Sequence, residues 1–161
     1  MAGRFNSAND LRTFETFNKE LIGDLRLSKD GIINQQITIF KVSVMDTSTN
    51  LYGESTGGKV YKPGVKLACM VESSDVDFTL DEFGADSLQD STFFMLRETL
   101  TDLELVPELG DIVEWNYAHF EINGINENQL VGGMYDQNWS VNCTAHLIRS
   151  VNLQIERVRK I

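Results

Sequence analysis

Two histidines, two cysteines and a run of carboxylates are the residues from which chemistry would have to be built. Nucleophilic catalysis needs a nucleophile, a base within reach and a group that orients the base. By strand parity His146 faces away from Cys143, and His119 opens a hairpin strand, so both read as sheet-surface histidines. No Gly-x-Ser-x-Gly elbow occurs. Cys69 and Cys143 each sit inside an apolar alternation and are too few for a metal quartet, so they read as reduced core residues. From Asp75 the chain offers Asp75, Asp77 and Thr79 at calcium-loop spacing, but Leu80 stands where such a loop needs glycine. Gly57-Gly58-Lys59 lacks the preceding strand and the spacing of a phosphate cradle. The expectation is a protein that is not an enzyme and holds no cofactor or metal.

The charge pattern points elsewhere. The chain carries 14 basic and 24 acidic residues for a net −10. A tight, sequence-tolerant DNA binder draws its affinity from phosphate neutralisation and needs a basic face. Glu72, Asp75, Asp77, Asp81, Glu82, Asp86 and Asp90 follow one another with no Lys or Arg between Lys66 and Arg97. Such a stretch reads as a solvated acidic face, or as the complement of a basic patch on a partner.

The elements that would position these residues are mostly strands. Leu11, Phe14, Phe17 and Leu21 make one apolar stripe at helical spacing over 7–21, and Gly23 ends it. This helix either packs on its own chain or docks on a neighbour. From Gln36 the period falls to two, with Ile37 and Ile39 on one face and Phe40, Val42 and Val44 on the other, which predicts a bulge or a strand buried on both faces. Met45 to Pro63 reads as a long loop with Leu51 and Tyr52 in its middle, where they meet a partner or fold back on the core. Val65 to Glu72 alternates as one half-buried strand, and Ser91 to Leu100 is apolar enough for another. Thr101 and Glu104 have capping-box spacing, which predicts a helical turn before Pro107. Gly110-Asp111 launches a strand over 112–115, Asn116 to Ala118 forms a hairpin loop, and 119–126 returns. Trp115, Tyr117 and Phe120 cluster at this hairpin, either as core packing or as a tip that inserts into a neighbour. A Gly-rich connection over 127–137 leads to the cleanest alternation, Trp139 to Leu147.

At 161 residues the chain reads as a single domain, 1–161. It divides into an N-terminal helical arm (1–30), a β-barrel core (31–148) and a C-terminal basic tail (149–161). The core carries the long loop 45–63 and the acidic segment 72–90. The fold class is mainly β: a small antiparallel β-barrel or sandwich with an N-terminal helix and long loops. No apolar run approaches the ~20 residues of a membrane span. Met1 to Asp10 is polar, without the apolar stretch of a secretory signal, which fits a chain used in a cytoplasm or released from it by lysis.

In order along the chain, several stretches resemble the neck, or head-completion, proteins of contractile-tailed bacteriophages. They are the early helix, the strand Ile37 to Val44, the loop with Asn50-Leu51-Tyr52-Gly53-Glu54, and the strand Lys66 to Glu72. The acidic span with Phe83-Gly84 follows, then Pro107-Glu108-Leu109-Gly110-Asp111-Ile112-Val113, Phe120-Glu121-Ile122, and a last strand with Ser140, Cys143 and Leu147. The chain is shorter than many members and is thin in the basic residues usual after the Phe strand. The resemblance implies a non-catalytic structural virion protein assembled in the host cytoplasm. It implies a homo-oligomeric ring that closes the DNA-filled head and offers a docking surface to the tail. Portal or adaptor proteins would lie on one side and tail-terminator or tail proteins on the other. Genomic DNA would pass through without specific binding, and no membrane is involved. A tail-terminator ring of the same virion and a non-catalytic β-barrel binding module are the alternatives. The interface residues expected on this reading are Leu51, Tyr52, Glu54, Asp75, Asp77, Asp81, Glu82, Trp115, Tyr117, Arg149, Arg157, Arg159 and Lys160.

Overall fold

A computed structural model describes residues 8–24, 29–47, 51–52, 58–81, 84–129 and 138–148. Helix α1 (Ala8–Ile22) runs into β1 (Gly23–Asp24), which pairs with β2 (Lys29–Asp30). The main elements follow as β3 (Gln36–Phe40), β4 (Val65–Ala68), β5 (Met70–Ser73), β6 (Asp77–Asp81), β7 (Gly84–Leu88), β8 (Asp90–Leu96) and α2 (Arg97–Asp102). The last three strands are β9 (Ile112–Trp115), β10 (Ala118–Gln129) and β11 (Asn138–Ile148). The fold is mainly β, with a curled antiparallel sheet and a short N-terminal helix. Among the described residues no helix is long and apolar enough to cross a membrane.

The curl follows from one detail of the topology. Seven strands form a sheet in the order β4-β3-β9-β10-β11-β8-β5. Its two outermost strands are consecutive in the chain and only Cys69 separates them. Strands at opposite ends of a flat sheet of seven would stand roughly 28 Å apart at ~4.7 Å per step. The two Cα steps from Ala68 to Met70 span at most about 7 Å, so the sheet curls until its outermost strands come together at Cys69. The Cys69 amide donates to the Gln35 carbonyl at 3.0 Å, which carries the β3–β4 ladder one step further, to the residue where the chain passes to β5. The alternation from Val65 to Glu72 therefore belongs to two strands with different partners, not to the one strand its period predicts.

Rolling the sheet creates an inside. Ile37, Ile39, Leu67, Phe93, Met95, Val113, Phe120, Ile122 and Cys143 point into it and are fully buried or nearly so. Phe93 and Phe120 meet edge to face with ring centroids 5.8 Å apart, a favoured geometry for aromatic pairs. A smaller cluster of Ile22, Ala68 and Leu96 lies on the outer face. Ala68 and Leu96 are the alternates of the inward Leu67 and Met95, so the end of α1 rests on the outside of the roll.

Two further boundaries differ from the sequence expectation. The strand after Ser91 ends at Leu96, and Arg97–Asp102 is helical. Thr101 is inside this helix, its hydroxyl donating to the Arg97 carbonyl at 2.9 Å, rather than capping a later turn. The phase change at Phe40 is the end of β3, after which Val42 makes a single bridge to Tyr61.

Candidate functional site

The two cysteines are spent on the core. Cys69 and Cys143 are free and buried, and burial pushes both thiols up to about 12, with the charge of Asp111 adding to the effect at Cys143. A thiol that stays protonated is not a nucleophile. His119 is 4 % exposed, so it is a buried residue and not a surface one. His146 lies in register between Asp90 and Glu121 on the neighbouring strands. Among the described residues no group of three or more His, Cys, Asp or Glu side chains is placed to hold a metal ion.

The most elaborate polar construction holds the root of the long loop. Asp111 is buried, and its carboxylate accepts the Val42 amide at 3.2 Å and the Glu108 amide at 2.9 Å. Lys41 stands 3.9 Å away and also pairs with Glu108 at 3.0 Å. Burial pushes the Asp111 carboxyl above its ordinary value, more than the two amides and the Lys41 charge pull it down. The same carboxylate therefore fixes the exit from β3, the Glu108–Gly110 turn and the start of β9. Beyond it, the Ser43 amide donates to the Val60 carbonyl at 2.8 Å and the Lys62 amide to the Lys41 carbonyl at 2.8 Å, so the two loop limbs run as a short ladder. Lys59 pairs with Glu121 at 2.8 Å, laying the returning limb on the sheet. Gly64 then passes so close to β3 that a Cβ there would stand 2.5 Å from Thr38 Cγ2. Tyr61, between these limbs, is pushed up to about 12 by burial and by the charges of Glu121 and Asp111.

This firm root carries an apolar outer part. Val44, Met45 and Tyr52 are exposed and Leu51 is 100 % exposed. Of the two outcomes expected for Leu51 and Tyr52, folding back over the core does not occur. Glu54 lies outside the described residues.

The helix makes a second such surface. Phe14 touches Trp139 with ring centroids 5.5 Å apart, and Lys19 bonds Glu98 at 2.6 Å. Trp139 is free to meet the helix because a register shift, from Asn128↔Ser140 to Gln129↔Asn138, leaves it as the extra residue of a bulge. Only part of the predicted stripe is covered. Phe17 is 60 % exposed, and Phe14 and Leu21 are exposed as well. A cleft of about 330 Å³ separates α1 from α2 and the start of β11, with Glu15, Lys19, Arg97, Asn138 and Trp139 in its lining.

The acidic segment forms a third. β6 and β7 pair only with each other among the described residues and extend the β5–β8 pair beyond the sheet as a two-stranded ribbon. Its root is held by polar bonds, the Ser74 amide to the Asp90 carbonyl at 2.9 Å and Gln89 Nε2 to Ser73 Oγ at 2.7 Å. Asp75 and Asp77 are exposed, Phe78 is 75 % exposed and Leu88 55 %. The side chain of Asp81, and Glu82 altogether, lie outside the described residues. So do Arg149, Arg157, Arg159 and Lys160.

The hairpin aromatics divide. Asn116 and Tyr117 have φ of 48° and 64°, the conformation of a tight two-residue turn, which is shorter than the loop expected. Trp115 is half-buried, packs on Phe93 and Phe120 at 6.4 and 6.1 Å, and its Nε1 donates to Gln35 at 3.4 Å. Tyr117 alone projects from the tip, exposed to solvent. Core packing thus accounts for Trp115 and Phe120. Sequence reasoning missed Asp111 as the clasp of the loop, though the Gly110-Asp111 turn marked its place. It also missed the exposed Phe78 and Leu88 within the acidic stretch.

No protein-family model matches this chain, and no curated protein matches it.

Proposed function

We propose that this chain is a structural ring protein of the head–tail junction of a contractile-tailed bacteriophage, closing the DNA-filled head and presenting a docking surface to the tail. The observation that carries the reading is the separation of its uncovered apolar surfaces. The α1 stripe, the loop residues Val44, Met45, Leu51 and Tyr52, and the ribbon residues Phe78 and Leu88 belong to different elements. Scattered single apolar residues need no explanation, but grouped exposure on several elements marks interaction surfaces. A closed ring of identical copies uses two different, complementary patches on each subunit, and further patches serve the neighbours above and below. The order of sequence features supports the same reading. The thiols and the buried histidine are structural, so the reading is non-catalytic, with localisation in the virion.

The test is binding to DNA-filled, tailless heads of the phage that encodes the chain. The purified chain is expected to bind them in a fixed ratio and to stop DNA release on dilution. Binding to free tail tubes with none to heads would replace the neck by a tail-terminating ring. Binding to neither would leave a β-barrel binding module.

A further inference from the structure

We propose that Asn123 is a modification site at which the folded chain converts its own side chain, the amide being lost to leave aspartate or isoaspartate. Asn123 is the one asparagine in the sequence that a glycine follows. Its side chain is exposed. The reaction joins the Gly124 main-chain nitrogen to Asn123 Cγ, and a glycine offers that nitrogen with no side chain beside it. The fold brings the two groups together. Between β10 and β11 the register shifts, with Ile122 opposite Ala145 and Gly124 opposite Thr144, so Asn123 is the extra residue of a bulge. A bulge leaves such a residue out of the ladder and re-aims its side chain. The Thr144 hydroxyl donates to Asn123 Oδ1 at 3.0 Å. The same hydroxyl fills the space that a Cβ on Gly124 would take. Thr144 therefore holds the Asn123 amide beside its own successor, and its bond falls on the oxygen that becomes negative when Cγ is attacked.

The step balances with water alone. The Gly124 nitrogen gives its proton to solvent and bonds to Cγ, which becomes tetrahedral. The bond from Cγ to the side-chain nitrogen then breaks, and that nitrogen takes a proton from water and leaves as ammonia. The ring that remains is a succinimide, and water opens it. Hydrolysis at Cγ gives aspartate. Hydrolysis at the main-chain carbonyl gives isoaspartate, whose main chain runs through the former side chain and is one carbon longer. Nothing is oxidised or reduced; overall a water enters and an ammonia departs. Either product adds a negative charge to β10 beside Thr144. Asn126 on the same strand is the built-in contrast. It is exposed too, but it stands in regular register opposite Asn142 and Glu127 follows it.

The experiment incubates the folded, full-length chain in mildly alkaline buffer and follows each asparagine by peptide mass spectrometry, with ammonia release as a second readout. Asn123 is expected to convert while Asn126 stays intact, and Asn123→Gln is expected to abolish the ammonia release. Thr144→Val, checked for folding by circular dichroism, removes the hydroxyl and keeps the shape. It should slow conversion about tenfold, less than the loss of an oxyanion donor costs in a water-excluded site because this one is exposed. Thr144→Ser restores the hydroxyl and should restore the rate. An Asn123 that stays intact in the folded chain, or converts no faster than Asn126, overturns the site. Conversion at the native rate in Thr144→Val overturns the part given to the Thr144 hydroxyl and, with it, the claim that the fold promotes the reaction.

Discussion

The inside of the rolled sheet and its outer appendages obey opposite rules. Inside, Phe93, Met95, Phe120 and Val113 are wholly buried, and Asp111 at the margin accepts two backbone amides. Outside, the helix, the long loop and the ribbon are anchored by well-made polar roots, yet each leaves large apolar side chains in water. The difference teaches that this sequence satisfies the inside of the sheet within one chain and leaves apolar side chains of Val44, Met45, Leu51 and Tyr52 uncovered on a loop whose root Asp111 holds.

Substitutions can break that contrast from either side. The largest effect is expected at the centre of the roll. Phe120→Ala removes a ring packed on Phe93 and Trp115 and should cost about 3–5 kcal/mol in chemical denaturation. Asp111→Ala leaves the Val42 and Glu108 amides without their acceptor and should cost about 1–3 kcal/mol. A smaller cost there than at an exposed position would dissolve the idea of a clasp.

Asp111 also gives a pH signature. Its native carboxyl is raised by burial above its ordinary value, so the folded state holds the proton more tightly than the unfolded one. The favourable contribution is complete below the unfolded value and is lost as pH rises through the native one. Compared with the native chain, Asp111→Asn should therefore gain relative stability as pH rises across that window. A difference between the two curves that is flat with pH would contradict the raised carboxyl.

The appendages should respond in the opposite sense. Phe17→Ser and Leu51→Ser should change stability by less than about 0.5 kcal/mol while weakening association with copies or with heads. If either destabilises the monomer like a core residue, its surface belongs to the fold. The smallest effect is expected from thiol reagents. With both thiols pushed up to about 12 by burial, the folded chain should leave them unmodified at neutral pH, and both should react after denaturation.

The sequence foretold the rolled sheet better than its appendages. The alternation from Trp139 onward was legible because that strand has one face in the core and a period of two records it, whereas Ile112–Trp115, where Ile112 and Val113 are both buried, was legible from the Gly110-Asp111 turn that launches it. The partner change at Cys69 was not, since alternation continues unbroken when a strand leaves one neighbour for another. The strand expected from Ser91 was carried on to Leu100, four residues into what is helix α2, because Thr99 and Leu100 are buried in either form. His119 was misplaced because a position at the start of a hairpin strand does not by itself say how far its side chain is buried. Likewise Phe78 alternates as a core residue would, and only the topology shows that β6 has left the sheet. The stripe on α1 was legible, and so was the choice it posed, between packing on the chain and docking elsewhere; the structure leaves most of it uncovered.

The most direct test of a head-closing ring is electron microscopy of lysates from the phage that encodes this chain, with its gene deleted. The ring reading predicts DNA-filled or leaking heads beside complete, unattached tails. Normal, infectious particles would contradict it.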